Sequence, residues 1–396
     1  MGDVRDQYEA FPYPERDPRD EAKRLIEGSP SRPIEMDHCL WGGQRDWSEC
    51  LRILVAGGGT GDALVQLAQS LHSAGKPYQI TYLDLSTASR KIAEARINAR
   101  NLPNVRFETG SLLDAESYGT FDYIDCCGVL HHLPDPEAGL RALHRAVAPG
   151  GGLGFMVYAP YGRSGVYPLQ AAFNRLYGHL PPKSRLKHAK ATFEKLPSAH
   201  PLKRNVTVGD HNQSDAGFYD LLIHSQDQAF CISDWIGALE RSGWSHADFA
   251  KPGLYDLARL AAVPSDMDAI TQMTTAEELR GTLKTHVGYA RRADERAPIH
   301  PDLPARFPHL GGATAAQMAK AVAASKLPKL RVGTNEVEIT LPPKTAGLIA
   351  MIDGKTSVSE IIGRARLSQD EGLRLWEKVD TALVPWGLLH YSGLLR

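Results

Sequence analysis

Several features are missing from this chain of 396 residues. No apolar run approaches the ~20 residues that a membrane span needs. Lys and Arg total 45 against 46 Asp and Glu, a formal charge of −1, so no net field draws the chain to nucleic acid or anionic lipid. Five cysteines at 39, 50, 126, 127 and 231 have no paired ligand spacing. Such a scattered, odd set reads as reduced thiols of a cytoplasmic protein and suggests no metal site. Internal repeats and low-complexity tracts are absent, and the polar start Met1-Gly-Asp-Val-Arg-Asp6 has no secretory core. The length exceeds one ordinary domain and allows a sizeable core.

Ile53-Leu-Val-Ala-Gly-Gly-Gly-Thr-Gly61 is the most informative stretch. An apolar strand runs into glycines, then into a helix with Leu64, Leu67, Ala68 and Leu71 on one face. Glycine lets the backbone turn sharply and approach a ligand without a Cβ in the way. The helix N-terminus that follows offers free N–H groups to an anionic group. A second apolar strand ends at Asp84, about 20 residues on, where a carboxylate can accept both hydroxyls of a ribose. The dinucleotide fingerprint fails, because its last glycine position holds Asp62, whose charge is expected to repel a pyrophosphate. The Gly-Lys-Ser/Thr of a phosphate-cradling loop is absent. Alternate glycines with acids at 62 and 84 suit a ligand carrying ribose and positive charge but no phosphate, as S-adenosylmethionine does.

Later segments follow the same plan. Ser86 caps a helix with Ala88, Ile92, Ala95 and Ala99 on one side. Strands are expected at 104–110, 121–128 and 154–158, with a helix carrying Leu140, Leu143 and Val147 between the last two and stopping at Pro149-Gly-Gly-Gly152. The core resumes with a short helix at 233–243 and a strand near 244–250. This alternation predicts an α/β fold, a doubly wound, mostly parallel sheet.

The Gly57–Gly61 loop, Leu83-Asp84, Phe121 to Asp135 and Leu143 to Gly152 together resemble the class I, Rossmann-like S-adenosylmethionine-dependent methyltransferases. The likeness covers the chain up to residue 160, with a returning piece at 231–250, and implies a seven-stranded sheet. It implies that Gly57, Gly59 and Gly61, with Gly58, line the methionine part and that Asp84, with Leu85, binds the ribose. Gly110, Ser111 and Leu112 would flank the adenine, and Cys127 and Gly128 would border the sulfonium. S-adenosylhomocysteine would be the product, with no metal required. Two positions depart from the pattern: the family often carries acids where Val55 and Ser111 stand.

His131 and His132 follow the fourth strand, where an acceptor would approach. Either is a candidate base, because imidazole titrates near neutrality; either could instead be structural. The lead Tyr8-Glu-Ala-Phe-Pro-Tyr-Pro14 reads as a surface arm or as a lid carrying Tyr8 and Tyr13 over the site. Residues 161–230 read as a helical cap inserted over the active site. Tyr158, Tyr161, Arg163, Tyr219 and His224 are its expected substrate contacts, alongside Asp220 and Asp227.

Four parts result: an arm or lid over 1–50, a cofactor domain over 51–262, a linker or helical segment over 263–330 and a small accessory domain over 331–396. The last has a half-buried strand at 335–341, a capping box Ser368-x-x-Glu371 and a closing strand near 387–391. It is similar to a winged-helix module, here without the basic stripe of a DNA reader. The expectation is a methyltransferase acting on a protein or peptide side chain. The alternatives are a small-metabolite methyltransferase and a non-catalytic S-adenosylmethionine-binding interaction protein. Nucleic acid is disfavoured as a partner, no membrane partner is expected, and the oligomeric state is open.

Overall fold

A computed structural model describes residues 2–333 and 335–396, without the side chains of residues 2–4 and 335. Its centre is a sheet of β1 (Leu51–Ala56), β2 (Tyr78–Asp84), β3 (Val105–Thr109), β4 (Phe121–Cys127), β5 (Val147–Tyr158), β6 (Trp244–Phe249) and β7 (Thr285–Arg292). The order is β3-β2-β1-β4-β5-β7-β6. The first five strands are parallel, and β7 runs antiparallel to both β5 and β6.

Fifteen α-helices are described: α1 (Gly2–Ala10), α2 (Pro33–Trp41), α3 (Asp62–Ser73), α4 (Thr87–Ala99), α5 (Pro136–Ala146), α6 (Val166–Tyr177), α7 (Pro182–Glu194), α8 (Pro201–Arg204), α9 (Asp215–Ile223), α10 (Ile232–Arg241), α11 (Ala269–Arg280), α12 (Ala315–Ala323), α13 (Ala346–Ile349), α14 (Val358–Arg364) and α15 (Gln369–Leu383). None is long and apolar enough to cross a membrane.

Helices cover both sheet faces, so β1 is buried at every position but Arg52. Leu64, Leu67, Ala68 and Leu71 of α3 pack with Met36 and Leu40 of α2 on one side. Leu140 and Leu143 of α5 and Trp235 and Leu239 of α10 pack on the other. Ser86 caps α4 by accepting from Ser89 N–H, and Asp135 caps α5 ahead of Pro136.

Two expected boundaries move. Residues 263–330 are not a linker: β7 lies inside the sheet between β5 and β6, and α11 packs on α10. The strand is hard to read because a histidine sits in its buried row. His286 is fully buried, with Nδ1 2.8 Å from Tyr255 Oη and Nε2 2.9 Å from the Phe230 oxygen. The C-terminal module also begins earlier than residue 331. Met318, Ala319 and Val322 of α12 share its core with Leu348, Ile361 and Trp376. Strand β8 (Pro308–Leu310) pairs with β11 (Leu389–Tyr391), the closing strand. The strand expected at 335–341 is only β10 (Asn335–Val337), paired with β9 (Leu330–Val332) in a small ribbon ahead of Pro342 and Pro343.

Candidate active site

The carboxyl ends of β1, β2 and β4 open into a cavity of about 550 Å³. Gly57 makes the turn out of β1 at φ +70°, and a Cβ there would lie 2.4 Å from Val129 Cγ2. Asp84 closes β2 with both oxygens engaged on one side: Oδ2 accepts from Gly59 N–H and Oδ1 from Ser86 N–H, each at 2.8 Å. Burial raises its carboxyl above the ordinary value, against these two donors. Gly110 to Leu112 after β3, and Cys127 to Val129 after β4, complete this half of the wall.

The N-terminal arm crosses the glycine loop. Thr60 Oγ1 donates to the Pro14 oxygen at 2.6 Å, and Glu9 accepts from Thr87 Oγ1 at the start of α4. Tyr8 and Tyr13 thereby enter the cavity wall. Asp62 does not present a bare charge: Arg16 binds it through two nitrogens at 2.8 and 2.6 Å, and Arg96 adds a third contact at 2.7 Å. Burial opposes ionisation of Asp62, but these two guanidiniums outweigh it and hold its carboxyl below the usual range. The repulsion expected of position 62 is therefore neutralised, and the glycine spacing alone carries the case against a pyrophosphate.

The cap closes the opposite side. Tyr158, Arg163, Asp220, Gln226 and His132 line it. Asp220 accepts from Tyr8 Oη at 3.1 Å and from Tyr158 Oη at 3.3 Å. The Arg163 guanidinium lies 3.5 Å from the Tyr158 ring centre and pairs with buried Asp227 at 3.2 Å. Gln226 bridges two histidines through its backbone. Its oxygen is 2.9 Å from His132 Nδ1, and its N–H donates to His224 Nδ1 at 3.0 Å. A carbonyl only accepts, so His132 carries its proton on Nδ1 and offers Nε2 as an acceptor. His224 is the reverse: its Nε2 bears the proton and faces Tyr8 Oη at 3.3 Å. Ligand atoms of His132, Asp220 and His224 lie within 4.8 Å of one another, as a metal trio would, but this tautomer makes His224 Nε2 a donor rather than a ligand.

Of the expected cofactor residues, Gly57, Gly58, Gly59, Asp84, Leu85, Gly110, Ser111, Leu112, Cys127 and Gly128 all line the cavity. Gly61 does not: at φ +96° it caps α3 and faces Ala93 of α4. Of the expected substrate residues, Tyr8, Tyr13, Tyr158 and Arg163 line it, while three do not. Tyr161 turns outward at 37% exposure. Tyr219 is buried and stacks on Phe11. His224 stands behind Tyr8 and stacks on His132 at 3.9 Å. The two candidate bases separate as well. His131 is fully buried off the wall, stacked 3.7 Å from Tyr158, with neither ring nitrogen partnered. Burial pushes its pKa well below the ordinary value.

Asp125, Gln226, Arg16 and Lys284 line the cavity unannounced by any motif. For Asp125 a signal existed: it is a second acid in β4, set between apolar Ile124 and Cys126.

Residues 54–153 match the family model described as a methyltransferase domain. An uncharacterized protein of Synechococcus is 35% identical over 205 residues, which is 50% of this chain and 48% of that protein. A ubiquinone biosynthesis O-methyltransferase of Albidiferax ferrireducens is 33% identical over 87 residues, 22% of this chain and 34% of that enzyme. The chain thus spans half or less of these relatives' length. Among solved structures, PKMT2 from Rickettsia typhi superposes with a TM-score of 0.62 at 14% identity, over 93% of this chain and 77% of that one. Its complex with AdoHcy gives 0.59 at 13% identity, over 92% and 76%. At such identities the likeness is one of fold. This chain thus contains a methyltransferase domain over residues 54–153, set in a seven-stranded, Rossmann-like methyltransferase fold.

Proposed function

We propose that this chain transfers the methyl group of S-adenosylmethionine to a small molecule whose hydroxyl or ammonium is deprotonated by His132. The residues fit the cofactor. Each Asp84 oxygen accepts one backbone N–H, which leaves lone pairs for two ribose hydroxyls. Gly57, Gly58 and Gly59 line the cavity with no side chain of their own, so a ligand meets backbone there. When bound, S-adenosylmethionine supplies a methyl carbon already activated on a sulfonium.

The protein's part is then to align the acceptor, exclude water and take one proton. Tyr8 and Tyr13 of the arm and Tyr158 at the end of β5 wall the acceptor side. His132 Nε2 is the proton acceptor, and Asp220 beside it stabilises the imidazolium that results. Tyr8 and Tyr158 hold that carboxylate in place.

One observation favours a small acceptor over the protein side chain expected from the C-terminal module. The cavity wall is drawn from the arm, the sheet ends and the cap, and no described residue beyond Thr285 lines it. The test is transfer of labelled methyl from S-adenosylmethionine into a cell lysate, with products separated by dialysis. Label in the dialysable fraction supports the proposal; label retained on protein contradicts the small acceptor.

A further inference from the structure

Resting on this cofactor reading, we infer that Asp125, on β4, is the anchor for the ammonium group of the cofactor's amino-acid end. Asp125 is 1% exposed yet forms part of the cavity wall. Its Oδ2 is served by Ser31 Oγ at 2.7 Å, with Tyr123 Oη at 3.4 Å. Its Oδ1 is buried with no hydrogen-bond partner. The adjacent Cys127 thiol is a weak donor and does not replace a cation. A buried carboxylate with an unpartnered oxygen in a cavity wall is a site for a donor that arrives with the ligand.

Position selects the donor. Asp125 pairs in register with Val55 on the adjacent parallel strand, so both side chains project from the same face. Val55 is where an acid is expected and is missing; the charge stands one strand over. The strand order β2-β1-β4 sets Asp84 and Asp125 on strands about 10 Å apart, with β1 and its glycine turn between them. A ligand whose ribose lies at Asp84 and whose amino-acid arm crosses the glycine turn brings its ammonium to Asp125. Burial lifts the Asp125 carboxyl to about 6, and a cation at Oδ1 favours its charged form.

The test compares two ligands on the full chain by equilibrium binding. S-adenosylhomocysteine carries the ammonium; 5′-methylthioadenosine keeps the nucleoside and lacks the amino-acid arm. In Asp125→Asn, binding of S-adenosylhomocysteine is expected to weaken about ten- to a hundredfold, while methylthioadenosine binds as before. The exchange Val55→Asp with Asp125→Val is expected to recover most of the lost affinity, because it returns one carboxylate to the same face. Unchanged S-adenosylhomocysteine binding in Asp125→Asn overturns the inference. So does equal weakening of both ligands, which marks a structural role, or an exchange variant that keeps methylthioadenosine but stays as weak as the single variant. If the unaltered protein binds neither ligand, the cofactor reading itself fails and takes this inference with it.

Discussion

The Nδ1–H of His132 donates to the backbone oxygen of Gln226 over 2.9 Å, and that one bond decides which of two adjacent histidines can act. It leaves Nε2 of His132 as the ring's acceptor, while both nitrogens of His131 are buried without partners. His132→Gln is expected to lower kcat by about 10²–10⁴ at saturating cofactor, the usual contribution of a general base. His131→Phe keeps the ring stack on Tyr158, removes no hydrogen bond and is expected to keep the rate within a few-fold. Steady-state kinetics of both variants check this, and a normal rate in His132→Gln removes the base from the mechanism.

Asp84→Asn is expected to weaken cofactor binding about tenfold or more, since the hydrogen bonds a carboxylate accepts from ribose hydroxyls are charge-assisted. The remaining amide oxygen still accepts one backbone N–H, so the loop need not collapse. Calorimetric titration with S-adenosylhomocysteine measures the loss.

Legibility followed periodicity. Strands β1, β2 and β4 each contain a run of four buried residues, and the glycine loop and Asp84 stand at the ends of β1 and β2, so the cofactor half could be read along the chain. The acceptor half could not. Tyr161 and Arg163 sit two residues apart on one short turn, yet one faces solvent and the other is buried. A turn has no period from which to choose between them. The arm was equally hidden, because its hold on the domain is by charge: Arg16 on Asp62, and Glu21 on Arg96 and Arg100. Such pairings join residues distant in sequence and leave no local pattern. β7 was masked by buried His286, whose partners come from three other segments.

Arg96 is 1% exposed and ties Glu21 of the arm to Asp62 at the start of α3. Arg96→Met leaves Glu21 with Arg100 alone in a buried setting. Breaking one partner of such a pair costs about 3–5 kcal/mol, and a denaturant midpoint reads it directly. A change below about 1 kcal/mol, the scale of a surface ion pair, would mean that the arm is not stabilised through this network.

The C-terminal module meets the methyltransferase domain at a histidine pair. Tyr391 N–H donates to His38 Nδ1 at 3.3 Å, and the His38 and His390 rings meet edge to face. Burial depresses His38 to about 4 and His390 to about 3, each further lowered by neighbouring cations or histidines. Both are lowered from an unfolded value near 6.5, so the stability they contribute is full above that pH. It is lost as pH falls from there toward their folded values. Between pH 7.5 and 5 the expected loss is about 2 kcal/mol per histidine. Replacing His390 by Leu is expected to flatten this slope, as denaturation midpoints at the two pH values will read.

The most direct test of the whole account is calorimetric titration of the purified chain with S-adenosylmethionine, S-adenosylhomocysteine and NAD. Micromolar binding of the first two with none to NAD is the result expected of this cavity. Binding of NAD, or of none of the three, would contradict the methyl-donor site at Gly57 and Asp84.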